Sequence, residues 1–198
     1  MAHGNSAAGP QDGLDQQGVM ELTSESDRLA DRLQRDGEKT LEFFRGLAPG
    51  QWDQQVYTTG SGWNVQQILA HFVSAERAFN QLIVDVASGG QGAPRDLKID
   101  DFNEAEVPRL GSQSREQLLQ AFSDARGRSV ELARGLAASD LERRGYHPWF
   151  GDMELRPMLK LVYRHNLIHL RDVRRALESG SPVPHTEVTP PSEKPDHP

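Results

Sequence analysis

The residues with the clearest chemical potential lie in "YRHNLIHLRDV", residues 163–173, where His165 and His169 are four apart and Asp172 follows. Four residues make slightly more than one helical turn, so both rings project from one face, about 6 Å apart along the axis. That spacing presents two ligands to a single metal ion. On the same wheel, Met158, Leu161, Val162, His165, His169, Asp172 and Ala176 share one side. Two imidazoles and a carboxylate in an apolar stripe are costly unless each polar atom finds a partner. A metal ion would satisfy both rings at once, and a web of hydrogen bonds is the structural alternative.

A third imidazole is available elsewhere. His71, in "ILAHFVSAE", borders the apolar stripe of another helix. Three imidazoles from two helices form a compact set suited to zinc, nickel or iron, with positions left for water or substrate. Magnesium prefers oxygen ligands. The chain has no cysteine, which excludes disulfides, thiolate nucleophiles and cysteine-type zinc sites. Glu76 falls within the apolar stripe that His71 borders. It reads first as a structural anchor with a buried partner and second as a general base. His147, in "GYHPWFG", either lines a pocket or belongs to a loop that caps the core, and Trp63 reads as packing. His3, His185 and His197 lie towards the ends and are set aside.

The elements that must position these groups are helices. Periodicity predicts the first over about 20–46, with Leu22, Leu29, Leu33 and Phe44 on one stripe and Ser24 with Asp27 as a capping pair. A second begins after Asn64 and runs to about Ser88, on Val65, Ile68, Leu69, Phe72, Phe79, Ile83 and Val86. A third starts near Ser114, with Gln117 completing a capping box. The fourth starts near Leu155, with Pro157 in its first turn, and ends before Gly180. No segment alternates well enough to predict a strand. Four such helices imply an all-α four-helix bundle.

The connection "GGQGAPRDLKIDDFNEAEVPRLGS" is far longer than the roughly 2–8 residues usual between bundle helices. A 25-residue helix is about 37 Å long, and about 11 extended residues could run its length. The linker can therefore cross the bundle and leave helices two and three parallel, and Ile99, Phe102 and Val107 suggest that it packs.

Of the 198 residues, 36% are hydrophobic, and the mean hydropathy is −0.65. Residues 1–18 and the Pro-rich stretch 180–198 offer no spaced apolar face and read as disordered tails around one domain, 19–179. Neither a transmembrane run nor a secretion signal is evident, so a cytoplasmic location is expected. The net charge of −7 argues against a nucleic-acid partner. "RDVRR" and "LERRG" read as solvated helix faces rather than phosphate sites.

"GWNVQQILAHFVSAE", "DDFNEAEV" and "LRPMLKLVYRHNLIHLRDV" together resemble the DinB-like superfamily, which includes the metal-binding domain of mycothiol-dependent maleylpyruvate isomerase and thiol-transferase relatives. The likeness covers about residues 20–178 and lies in a tryptophan, a histidine eight positions on, and a His-x3-His pair near the end. It implies an up-down-down-up bundle, a metal triad of His71, His165 and His169, and homodimers. Family members often carry glutamine where Asp172 stands. Here a carboxylate would accept an N–H from a ligand ring, become a fourth ligand, or pair with a neighbouring arginine. The isomerase has a further C-terminal domain, which the stretch after Gly180 is too short to supply. The functional expectation is a metal-dependent hydrolase or thiol S-transferase acting on a small molecule, with a low-molecular-weight thiol as cosubstrate. The alternative is a non-catalytic metal- or ligand-binding protein of stress or detoxification.

Overall fold

The computed structural model describes residues 23–185. Among the described residues there are five α-helices: α1 (Glu25–Arg45), α2 (Val65–Ala87), α3 (Ile99–Gly111), α4 (Arg115–Gly135) and α5 (Leu155–Ser179). A hairpin of β1 (Arg144–His147) and β2 (Gly151–Glu154) precedes α5. The helix starts follow local chemistry. Ser24, Asn64 and Ser114 each accept a hydrogen bond from the backbone three residues on, and Gln67 and Gln117 complete reciprocal boxes. Gly180 stops α5 in the left-handed region, at φ 67°.

Side-chain pairs fix the helix directions. The start of α1 meets the end of α4, since Ser26 donates to the Leu136 carbonyl, so these two run antiparallel. Gln66 pairs with Arg115, Phe72 with Phe122, and Asn80 with Ala125, so α2 and α4 run parallel. Glu25 meets Arg156 and Phe43 meets Arg174, so α1 and α5 are also parallel. The bundle is therefore up-down-down-up, and the long connection between α2 and α4 does cross it. Two apolar clusters fill the interior, one around Phe44, Ile68, Phe72 and Phe122 and the other around Leu33, Ile83, Leu155 and Met158.

Three features depart from the sequence reading. The long connection contains α3, which buries Val107 and Leu110 against α2. Its start has no side-chain cap, and Pro108 lies inside it, so local signals for a helix are weak. A hairpin is present although no strand was expected. Its strands have four residues each, too few for a legible alternation, and Gly151 makes the turn at φ 75°. The connection is pinned to this hairpin, because Tyr146 donates to the Gln91 carbonyl and accepts from Ala93. Finally, the chain stays ordered past Gly180. Val183 is buried and bonds to Val56 and Thr58 backbone, so residues 181–185 belong to the folded body rather than to a tail. The expected tails at 1–18 and beyond 185, with His3 and His197, lie outside the described residues.

Candidate metal centre

α2 and α5 are antiparallel neighbours, and their facing sides carry the three imidazoles. His71 Nε2 lies 2.8 Å from His165 Nε2, and His169 Nε2 lies 3.1 Å from it. The ligand atoms of all three fall within 4.8 Å of one another. His71 and His169 are buried and His165 is half-buried. Each ring is held from outside. Trp63 stacks on His71 at 4.6 Å between centroids. His165 Nδ1 lies 3.1 Å from Asn166 Oδ1, and His169 Nδ1 lies 2.6 Å from the Tyr57 hydroxyl.

This arrangement fits a cation better than a web of hydrogen bonds. The Asn166 oxygen can only accept, so His165 Nδ1 carries a proton and its Nε2 carries a lone pair. One lone pair cannot serve two neighbouring Nε2 groups with good geometry. A single cation takes all three lone pairs. Two nitrogens each about 2.1 Å from one ion are about 3.0 Å apart at a right angle, close to both spacings seen here. Burial pushes the pKa of His71 and His169 well below the ordinary range and that of His165 down to about 4. The rings are thus neutral at pH 7, the state a metal requires.

The other residues singled out in the sequence take different places. Glu76 is fully engaged elsewhere. Arg126 grips it through two bonds of 2.8 Å and Ser129 donates at 2.6 Å, so it anchors α4 to α2. Asp172 is completely buried near Arg171 and Arg175, at 3.7 and 3.8 Å. It stands outside the three-ring group. Burial raises the Tyr57 pKa, and the Asp172 charge raises it further. His147 lines a cavity of about 900 Å³ over the three imidazoles. Its Nδ1 accepts from the Trp149 backbone, which leaves its proton on Nε2, and burial lowers its pKa to about 4.

Sequence reasoning missed Tyr57, Asn103 and His185. Tyr57 lies in the loop before α2, where no periodicity marks an inward side chain. Asn103 lines the same cavity from α3, on a segment read as linker, and opposes the downward shift at His71. His185 was set aside with the tail, yet its ring packs 4.7 Å from Tyr57 and 5.4 Å from His169. The Tyr57–Val183 bridge puts it there, a contact with no local signature.

Comparison with known proteins agrees with this architecture. A profile of the DinB superfamily matches residues 32–173. No curated protein sequence matches. Among solved structures, the chain is similar to YfiT from Bacillus subtilis, described as "a probable metal-dependent hydrolase with an unusual four-helix bundle topology". Their TM-score is 0.66 at 19% identity, over 81% of this chain and 92% of that one. It is also similar to the mycothiol-dependent maleylpyruvate isomerase, with a TM-score of 0.61 at 13% identity over 75% of this chain. The match spans only 59% of the isomerase.

Proposed function

The chain belongs to the DinB superfamily, and on that premise we propose that it is a divalent-metal-dependent enzyme of the hydrolase or thiol S-transferase type. Its substrate is a small molecule. The observation that carries this reading is the convergence of His71, His165 and His169 Nε2 groups at the floor of a large cavity. His71, His165 and His169 would hold a divalent ion, which would supply Lewis-acid activation of a water or thiol.

The chain's own residues do the rest. Tyr57 and Asn166 orient two of the rings through their Nδ1 atoms, and Trp63 fixes the plane of the third. The largely apolar cavity walls lower the local polarity and so strengthen charge interactions at its floor. His147 offers an Nε2–H donor on that wall. Any thiol must come from outside, because the chain has none.

One observation favours the second reading, a non-catalytic binder. Glu76, the carboxylate that bears electrostatically on His165, is already engaged by Arg126 and Ser129. A base poised to take a proton is therefore not evident beside the rings. Zinc or nickel as the ion, homodimers and a cytoplasmic location belong to the same proposal and rest on sequence and family likeness alone. Among the described residues, no helix is long and apolar enough to cross a membrane.

Metal analysis of the purified protein tests the site. The parent should hold about one equivalent of metal, and His165→Ala should lose most of it while remaining folded. Undiminished metal in the variant would sink the assignment. A panel of hydrolase and thiol-transfer substrates, run before and after chelation, then separates enzyme from binder.

A further inference from the structure

The cavity above the three histidines has a charge pattern of its own. α3 turns Asp100, Asn103 and Glu104 towards it, the two carboxylates one turn apart and exposed. Asp85 contributes from α2. The remaining wall is largely apolar, with aliphatic side chains such as Leu82 and Leu161 among the rings of Trp63, Phe79, Phe102 and Trp149, the last 48% exposed at the hairpin tip. Among the described residues, no lysine or arginine lines this space.

These groups sort possible ligands. At about 900 Å³ the cavity accepts a molecule of drug size. A carboxylate or phosphate entering it gives up water, meets the α3 carboxylates at the mouth, and finds among the described residues no guanidinium or ammonium to replace its hydration. An uncharged aromatic body loses nothing comparable and gains from burial against the ring faces. At the floor the logic reverses. Three neutral imidazoles leave a divalent ion its full positive charge, so the one anionic donor the site favours is the atom that meets the ion.

We infer that this site takes an apolar, aromatic-bodied molecule without anionic groups, entering with a single metal-binding head such as a thiol, and that Asp100 and Glu104 enforce the exclusion of anions. The head group rests on the metal reading proposed above, whereas the body rests on the cavity alone.

Two binding experiments test the inference separately from that reading. In metal-free protein, quenching of tryptophan fluorescence is titrated with 2-phenylethanol and with 3-phenylpropionate. In cobalt-loaded protein, the thiolate-to-cobalt charge-transfer band is titrated with 2-phenylethanethiol and with 4-(mercaptomethyl)benzoate. In both, the uncharged probe should bind about tenfold tighter or more. The double variant Asp100→Asn, Glu104→Gln should narrow the gap by recovering the anion. Equal or tighter binding of the anion in the parent overturns the inference. So does a gap that the double variant leaves unchanged, or failure of the uncharged probes to bind. If cobalt is not held, the metal reading falls, and the metal-free titration still decides the substrate class.

Discussion

Whether three imidazoles amount to a metal centre depends on what holds their far sides. His169 shows this most clearly. Its Nδ1 is 2.6 Å from the Tyr57 hydroxyl, and Tyr57 is kept protonated by burial and by Asp172. With Nε2 turned to the other rings, Nδ1–H donates to the Tyr57 oxygen, which fixes both tautomer and ring angle. Tyr57→Phe keeps the packing and removes only that oxygen. Its metal affinity should fall about 10- to 100-fold, measured by competition with a chelator of known strength. An affinity unchanged in that variant would mean the hydroxyl does not orient the ring. Glu76 illustrates the opposite case, because its carboxylate is already held by Arg126 and Ser129.

Elements bring these residues together through buried polar contacts as well as apolar stripes. Arg126 crosses from α4 to hold Glu76 on α2 and the Leu33 carbonyl on α1, so one side chain ties three helices. Gly37 on α1 exists to let it pass, since a Cβ there would stand 2.5 Å from Arg126 Cγ. Glycine inside a helix costs about 1 kcal/mol against alanine, yet Gly37→Ala should destabilise the protein by about 1–3 kcal/mol in urea unfolding. A stabilised Gly37→Ala would show that Arg126 can move aside. Glu76→Gln leaves a buried guanidinium facing a neutral amide and should lower stability by about 3 kcal/mol, with metal content retained. If that variant instead kept its stability and metal but lost activity, Glu76 would be a base after all.

For the molecule as a whole, neutral buried histidines make stability depend on pH. His147 and His165 have folded pKa values of about 4, against an ordinary value of 6.5. Between those values the unfolded chain takes up protons that the folded one does not. Stability is therefore complete above about pH 6.5 and is lost as the pH falls towards 4, on the order of 1 kcal/mol per pH unit for each ring. Chemical denaturation of metal-free protein from pH 7.5 to 4.5 should show this decline. A flat profile would mean the rings are not held neutral. Metal adds a second linkage, because a ligand bound only by the folded state stabilises it. At free metal about 100 times Kd, the melting point should rise by the equivalent of about 2.7 kcal/mol, and His165→Ala should abolish the rise.

The existence, starts and stops of α1, α2, α4 and α5 were legible in the chain because they depend on neighbours within four residues, whereas the uncapped α3 was not. The boundaries at Asn64, Ser114, Leu155 and Gly180 are local chemistry, and the parallel pair α2 and α4 follows from linker length. The candidate ligands were legible too, since a His-x3-His spacing on an apolar face is itself a geometric statement. What the chain could not disclose lies in contacts between distant segments. Glu76 could be read as a charge in the interior with anchor or base as its role, but its partners Arg126 and Ser129 come from α4, fifty residues or more away. Tyr57 and His185 reach the site only because the strand-like pairing of residues 57 and 183 closes over it. The α3 carboxylates reach the cavity only because Val107 and Leu110, further along the same helix, pack it against α2. Periodicity records which face of a segment is buried, and tertiary structure alone decides what that face meets.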